Sequence, residues 1–227
     1  MLKIQNLRYQ IAQSDIIKDF SLHLEAGKII TLFGASGCGK STLLRCIAGI
    51  LSAESSAFSV PKSAFIFQES ALFENLNALE NVAVVMKKPN KAWILKQFAR
   101  LYLSKNDAQK YPRELSGGMK ARVAFVRALA YNAPLFLLDE PFSALDLSVK
   151  KILIEMLLER VKRGASALLV THDAFEACLL SDEVYFLKPR FMEIEQILRF
   201  DRAQKARDGA FVEMMIKAHF KDRIYFE

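Results

Sequence analysis

Ten residues, FGASGCGKST at positions 33–42, constrain the fold of this chain more than any other stretch. They follow the apolar run KIITL and match the pattern G-x-x-x-x-G-K-[ST], which forms a loop between a buried strand and a helix. The glycines let backbone N–H groups turn inward, and a helix beginning near Lys40 adds its N-terminal dipole. The stretch therefore predicts a polyphosphate-binding loop in an α/β domain.

Two side chains of this loop have predicted parts in binding a polyphosphate and Mg²⁺. Lys40 supplies a cation for the β and γ phosphates, and the Ser41 hydroxyl is placed to ligate Mg²⁺. The predicted ATP-binding residues of the loop are Gly34, Ala35, Ser36, Gly37, Cys38, Gly39, Lys40, Ser41 and Thr42.

Four short apolar runs, KIITLFG, APLFLLDE, ASALLVTHD and EVYFLK, predict strands buried on both faces of a mostly parallel sheet. Helical patterns alternate with them, which indicates a βαβ architecture. One pattern follows a predicted N-cap at Ser148. Its apolar side consists of Val149, Ile152, Leu153, Met156, Leu157 and Val161.

Residues 69–115 lack buried-strand runs and contain KAWILKQFARLYL at helical spacing, so they predict a small helical lobe inserted into the α/β core. The predicted organisation is a single domain over 1–227. A RecA-like core comprises about 1–68 and 116–227, and the helical subdomain comprises about 69–115.

The apolar runs and the charge of the sequence limit the possible location and partners of the chain. No apolar run has the roughly eighteen residues of a membrane span, and the N-terminus is too polar for a signal peptide, so we expect a cytosolic chain unless a partner holds it at a membrane. The net charge is +7, and residues 87–113 hold eight Lys or Arg against one acid, Asp107. That basic stretch fits a solvated helix face, nucleic acid, anionic lipid or an acidic partner.

The run LFLLDEP at Leu135–Pro141 places two acids at the end of a predicted strand. Asp139 is placed to reach the Mg²⁺ shell. Glu140 is the better candidate for polarising an attacking water, because a carboxylate near the γ phosphate can orient the nucleophile and accept its proton.

A second glycine turn opens a helical run in LSGGMKARVAFVRALA, at Leu115–Ala130. It predicts another anion-binding helix N-terminus, which is surplus unless it serves another nucleotide or another molecule. With these motifs in this order, the sequence resembles the ATP-binding cassette family, the ATPase subunits of ABC transporters. The resemblance extends from the start of the chain to about residue 195.

The resemblance implies further site residues. Tyr9 matches the aromatic that stacks on adenine, and Gln68 matches the glutamine that links the metal site to the helical lobe. Ser116, Gly117 and Gly118 match the signature motif, which binds the γ phosphate held by the opposite protomer. The stretch SALD at 143–146 matches the loop that crosses the dimer interface, which includes Asp146, and His172 matches the switch histidine near the γ phosphate.

The resemblance also implies the fold and the partners. The expected fold is a P-loop NTPase core with a mostly parallel sheet, a small antiparallel β edge and an inserted helical subdomain. The expected partners are a second copy in a homodimer, integral membrane permease subunits and, indirectly, an extracytoplasmic solute-binding protein, with no nucleic acid. The expected location is cytoplasmic, peripheral on the inner face of a bacterial cell membrane.

Several features outside the common family pattern carry information. Met119 stands where glutamine is commonest, which resembles the subgroup importing nitrate, sulfonates, taurine or thiamine precursors, and LKPRFMEI at Leu187–Ile194 resembles a worn LSPRPGRI stretch of that subgroup. The short segment LSAESSAFSVPKSA predicts a trimmed antiparallel edge, and AFVEMMIKAHF predicts a terminal helix that packs on the core.

Two function classes stand beside each other: a transport ATPase, and a cassette ATPase acting on nucleic acid or ribosomes through the basic stretch. Only about seventy residues separate the phosphate loop from the second glycine turn, which leaves no room for the long coiled coil of repair and chromosome ATPases. Translation-type members usually carry two cassettes. A nucleoside or shikimate-type kinase fits neither the second glycine turn nor the stretch around His172. The sequence therefore favours transport.

Overall fold

The computed structural model describes residues 1–12, 14–143, 145–188 and 192–221. Its strands are β1 Leu2–Ile11, β2 Ser14–Leu24, β3 Ile29–Phe33, β4 Ala57–Ser59, β5 Ser63–Ile66, β6 Leu135–Asp139, β7 Ser166–Val170, β8 Glu183–Leu187 and β9 Ile194–Arg199. Its helices are α1 Lys40–Ile47, α2 Ala78–Ala83, α3 Lys91–Arg100, α4 Gly117–Ala130, α5 Leu147–Val161, α6 Ala174–Leu180 and α7 Gly209–His219. Short 3₁₀ turns occupy Asp107–Gln109, Pro112–Glu114 and Gln204–Ala206.

The central sheet has the strand order β5-β6-β7-β3-β8-β9. Its strands are parallel except for β9, which pairs antiparallel with β8 at one edge. The four predicted runs are β3, β6, β7 and β8; all five residues of β3, β6 and β7 are buried, as are four of the five in β8. The predicted mostly parallel sheet is confirmed. Strand β5 was not predicted, because its half-buried positions at a sheet edge do not form an apolar run.

A second, three-stranded sheet has the order β2-β1-β4 and is antiparallel. Strand β4 is only three residues long, so the predicted small and trimmed antiparallel edge is confirmed. Leu2, Ile4 and Leu7 of β1 belong to the same apolar cluster as Leu43 and Leu44 of α1. This sheet is therefore packed beside the helix that follows the phosphate loop.

Helices α2, α3 and α4 pack on one another, and α4 also contacts β5 of the central sheet. Val82, Phe98 and Val126 meet in an apolar cluster that continues into Phe136 of β6. The predicted boundary between 115 and 116 thus separates α4 from helices that it packs against. The division into a core and a helical subdomain stays a prediction.

Helix α5 begins one residue before the predicted cap. Asp146, not Ser148, is its N-cap: Asp146 Oδ1 accepts hydrogen bonds from the backbone N–H groups of Ser148 (3.1 Å) and Val149 (3.0 Å). A carboxylate at that position reaches two of the free amides of the first turn, which Ser148, already inside the helix, cannot do. The predicted apolar side is buried except for Ile152, which is half-buried; Ile154 is buried as well.

The C-terminal helix α7 packs on α6, which confirms the predicted terminal helix. Phe220, just after it, is fully buried, and its ring contacts Phe33 and Phe186 edge to face, each at a centroid distance of 5.0 Å. No helix in the described ranges is both long and apolar enough to cross a bilayer.

Candidate nucleotide-binding site

The phosphate-loop sequence forms the turn between β3 and α1, with Gly39 as the N-cap of α1. Gly39 has φ +102°, a left-handed conformation that favours glycine, and a side chain there would meet Met192 Cγ at 2.8 Å. At Gly34, an added Cβ would lie 3.1 Å from Leu187 Cβ. The loop is thus enclosed by the end of β8 and by Met192: the backbone conformation of Gly39 favours glycine, and the packing at Gly34 leaves little room for a side chain.

Lys40 lies at the centre of the loop. Its Nζ donates hydrogen bonds to the carbonyl oxygens of Gly34 (2.8 Å) and Ala35 (2.7 Å), and the residue is buried. Cys38 Sγ lies 3.7 Å from the same Nζ. The ammonium group is therefore held by neutral acceptors, and anionic phosphate oxygens form stronger hydrogen bonds with such a group.

Ser41 and Asp139 form the predicted metal pair. Ser41 Oγ donates a 2.9 Å hydrogen bond to Asp139 Oδ1, which joins the first turn of α1 to the end of β6. Burial raises the pKa of the Asp139 carboxyl, and the hydrogen bond from Ser41 partly opposes that rise. Hydroxyl and carboxylate oxygens are ligands that Mg²⁺ prefers, so this pair fits the ion.

Glu140 and His172 meet across two neighbouring strand ends. His172 Nδ1 lies 2.7 Å from the Glu140 carboxylate, and this hydrogen bond raises the pKa of His172. Glu140 has φ +48°, which is uncommon for a residue with a side chain, and its N–H donates to Val170 O at 3.0 Å. Such local strain is frequent at functional sites, because the surrounding structure must hold it.

These groups line one open cleft of about 620 Å³. It contains the predicted residues Gly34, Ala35, Ser36, Gly37, Gly39, Lys40, Ser41, Thr42, Gln68, Asp139, Glu140 and His172. Cys38 is buried and does not line the cleft. Ile11, Ile16, Phe33, Ser143 and Val170 line it without having been predicted.

Tyr9 is not brought into this cleft. Its half-buried side chain packs on the apolar cluster of β1 and α1, and it pairs with Ile17 of β2. Ile11, which is 54% exposed, and Ile16 line the cleft instead. The β1–β2 register shifts on both sides of Tyr9, and such irregularities change which side chains face the cleft in a way that alternation in the sequence does not reveal.

The second glycine turn lies outside this cleft. Ser116 is the N-cap of α4, its hydroxyl accepts a 3.3 Å hydrogen bond from Met119 N, and Ser116 and Gly117 are exposed. Asp146 is exposed as well, at the start of α5. The two predicted glycine turns thus lie at separate helix N-termini, those of α1 and α4, and of the two only that of α1 adjoins Lys40.

Both the sequence and the fold of this chain are similar to those of known proteins. The family described as "ABC transporter" matches residues 17–143, more than half of the chain. The chain belongs to the ABC transporter family. This ABC protein shares the cassette fold predicted from its sequence: it superposes with a TM-score of 0.77 on a dimeric, post-hydrolysis ATP-binding cassette bound to ADP and Pi, at 26% identity, covering 89% of this chain and 100% of that one.

Its relatives include named import subunits. It is 35% identical to the sulfate/thiosulfate import ATP-binding protein CysA of Neisseria meningitidis serogroup A, over 93% of this chain and 65% of that protein. It is 33% identical to the aliphatic sulfonates import ATP-binding protein SsuB of Albidiferax ferrireducens, covering 94% and 80%. It is 34% identical to the Fe(3+) ions import ATP-binding protein FbpC of Haemophilus influenzae, covering 83% and 60%. The chain spans about 65% of the length of the CysA relative.

Proposed function

We propose that this chain binds and hydrolyses ATP as the motor subunit of an importer. The observation that carries the proposal is the meeting of three groups in one cleft: the lysine-bearing loop, the Ser41–Asp139 pair and the Glu140–His172 pair. A phosphate nest, a metal pair and a carboxylate–imidazole pair together suit attack of water on a γ phosphate.

The loop residues bind the polyphosphate through backbone N–H groups, and Lys40 exchanges the carbonyl oxygens of Gly34 and Ala35 for phosphate oxygens. Ser41, Asp139 and Gln68 would hold Mg²⁺, and the ion would neutralise charge on the phosphate oxygens. Glu140 orients the attacking water and accepts its proton. His172, hydrogen-bonded to that carboxylate, fixes its orientation and faces the same cleft.

The base of the nucleotide has a different partner from the one that the sequence suggested. Ile11 and Ile16 line the cleft, and Ile16 is adjacent to Gly39 at the start of α1. We place the adenine against these aliphatic side chains, with contact area as the source of affinity. Tyr9 then supports the sheet beneath them.

The chain acts as a homodimer in which each nucleotide lies between two copies. Ser116, Gly117 and Gly118 lie outside the cleft of their own chain, and exposed helix N-terminal N–H groups favour an anion. We assign these residues to the γ phosphate held by the partner. Asp146, exposed at the start of α5, lies at the same interface.

The remaining partners are integral membrane permease subunits and, through them, an extracytoplasmic solute-binding protein. This arrangement holds the chain on the cytoplasmic face of the membrane. The similarity to the sulfate/thiosulfate and sulfonate import subunits, together with Met119, supports a small sulfur oxyanion, sulfonate or nitrate-like solute. The iron relative matches at similar identity, so the solute is decided by the permease and the binding protein.

One experiment tests the shared site. Glu140→Gln keeps the size of the side chain but cannot accept a proton, so hydrolysis should slow about a hundredfold or more while ATP still binds. Gel filtration of this variant with ATP should then show a dimer. Adding Ser116→Arg should return it to monomer with ATP binding intact, because the larger side chain blocks the opposing phosphate.

Results of three kinds would contradict the proposal. A Glu140→Gln protein that hydrolyses ATP at the wild-type rate would remove Glu140 from the chemistry. A dimer that persists after Ser116→Arg, or that forms without nucleotide, would remove the second glycine turn from the site. Reconstitution with the permease gives the transport test, and full transport with Glu140→Gln in both copies contradicts the mechanism.

A further inference from the structure

Lys150, Asp173 and Glu176 form an ionic cluster beside His172, at the start of α6. None of the three has a role in the hydrolysis proposed above. Lys150 of α5 donates from Nζ to Asp173 Oδ2 (3.1 Å) and to Glu176 Oε1 (2.6 Å). Glu176 is 2% exposed, and the side chain of Lys150 is 16% exposed. One carboxylate and the ammonium group are therefore largely removed from water at the junction of α5 and α6, and the second carboxylate, that of Asp173, is half-buried.

Every carboxylate oxygen of this cluster has a partner. Asp173 Oδ1 caps α6 by accepting from Phe175 N (2.8 Å) and Glu176 N (3.3 Å), and Glu176 Oε2 accepts from Thr171 Oγ1 (2.7 Å). Thr171 Oγ1 in turn accepts from Asp173 N (3.0 Å). The residues on both sides of His172 are thus held by hydrogen bonds that converge on Lys150 and Glu176.

The same lysine lies one helical turn after Asp146, the residue that we propose for the dimer interface. The backbone N–H of Lys150 donates to Asp146 O at 2.9 Å, in the first turn of α5. One residue therefore joins the start of α5, next to residues 143–146, to the strand end that carries His172. Within the described chain, this is a direct path of hydrogen bonds between the two places.

The physical cost of such a cluster indicates what it does. Desolvation offsets much of the attraction within a buried ion pair such as Lys150–Glu176, and apolar side chains of similar volume often stabilise a fold as well or better. Fixed charges with every oxygen bonded instead define one geometry. A cluster that contributes little net stability but fixes the residues around His172 is suited to orientation.

We propose that Lys150 is a positioning residue for His172: through Asp173, Glu176 and Thr171 it sets the orientation in which the imidazole meets Glu140, from a position one helical turn after Asp146. The inference rests on the proposed ATP hydrolysis for its effect on turnover. Its effect on the geometry of His172 is independent of that function.

The test is Lys150→Met, assayed for turnover and for the imidazole signal of His172 by NMR. The chain has only three histidines, so His23 and His219 serve as internal references. We expect kcat for ATP to fall about tenfold or more with KM within about twofold, because positioning affects the reacting arrangement more than ground-state binding. The His172 signal should move towards that of a free histidine, whereas the two reference signals stay in place.

Three further variants separate positioning from folding. Lys150→Arg keeps a cation and should retain most of the turnover and the His172 signal. Glu159→Gln removes an ion pair from the same helix, 3.0 Å from Arg100, and should change neither. If Lys150→Met fails to fold, Lys150→Met with Glu176→Gln removes both buried charges, and this double variant should fold yet keep the low kcat and the shifted His172 signal.

The inference is overturned if a folded Lys150→Met or double variant keeps wild-type kcat, or if its His172 signal is unchanged. It is also overturned if Glu159→Gln shifts that signal equally. If the wild-type protein hydrolyses no ATP, the proposed function fails, and the His172 signal alone then decides whether Lys150 positions the imidazole.

Discussion

Ser41 and Asp139 lie almost a hundred positions apart in the sequence, yet the Ser41 hydroxyl donates a 2.9 Å hydrogen bond to Asp139 Oδ1. The bond connects the helix after the phosphate loop to the strand that ends in the two acids. If Mg²⁺ binds here as we propose, two of its oxygen ligands are already held together in the folded chain, so the entropy of bringing them together is not lost on binding.

We expect Ser41→Ala and Asp139→Asn to weaken nucleotide binding only where Mg²⁺ contributes to it. In Mg²⁺, the Kd for ATP should rise about tenfold or more, a change of about 1.4 kcal/mol. With a chelator in place of Mg²⁺, each variant should bind ATP within about threefold of wild type. Calorimetric titration gives both values, with Ser55→Ala as a control whose hydroxyl bonds only within the small sheet. Equal losses with and without Mg²⁺ would contradict the metal assignment.

Lys40→Ala should abolish detectable ATP binding and hydrolysis, because it removes the ammonium group at the centre of the loop. Thermal unfolding of the variant checks that the domain still folds. Lys62→Ala is the matched control, since that ammonium lies 3.9 Å over the Tyr131 ring, outside the cleft, and should leave binding unchanged. ATP hydrolysis at the wild-type rate in Lys40→Ala would remove the phosphate-loop assignment.

The Glu140–His172 pair predicts a pH dependence with a definite sign. The hydrogen bond to Glu140 raises the pKa of His172, so the folded state binds the proton more tightly than the unfolded chain does. The pair's contribution to the free energy of unfolding should be fully present below the ordinary histidine pKa of about 6.5 and should be lost as the pH rises through the raised value. NMR titration should show the pKa of His172 falling in Glu140→Gln. An unchanged titration in that variant would mean that Glu140 is not the cause.

Substitutions at Ile11 and Tyr9 distinguish two possible positions of the adenine base. If the adenine lies against Ile11, Ile11→Ser should weaken ATP binding about threefold to tenfold by removing apolar contact area, and Tyr9→Leu should have little effect. If the original assignment of Tyr9 were right, the two variants would behave the other way round. Binding of a fluorescent ATP analogue, with circular dichroism to verify folding, distinguishes the two cases.

The parts of the molecule that sequence predicts well are those set by local rules. The runs at β3, β6, β7 and β8 are apolar because both faces are covered, and the glycines of the phosphate loop mark a backbone that only they fit closely. Ser41, Asp139, Glu140 and His172 all reach one cleft because carboxyl ends of parallel strands share one edge of a sheet.

The parts that sequence misses depend on long-range geometry. Shifts of register in β1 determine that Ile11, not Tyr9, lines the cleft, and the partner strand cannot be read from β1 alone. The capping role of Asp146 was missed because Ser148 is also a good capping residue and only the backbone decides between them. The contacts of Lys150 with Asp173 and Glu176 join two helices whose relative placement no local pattern specifies.

The position of β3 in the sheet has a consequence for the order of events during synthesis on the ribosome. This strand, which carries the phosphate loop, pairs with β7 and β8, and Phe33 at its end packs against Phe220. None of these partners has been synthesised when Lys40 emerges. A domain acquires such contacts only when the distant segments have been synthesised. In a nascent chain that stops before β8, the phosphate loop should therefore be present but not yet folded into its binding conformation. We therefore expect nucleotide affinity to arise late in translation, in chains that have also folded most of the central sheet.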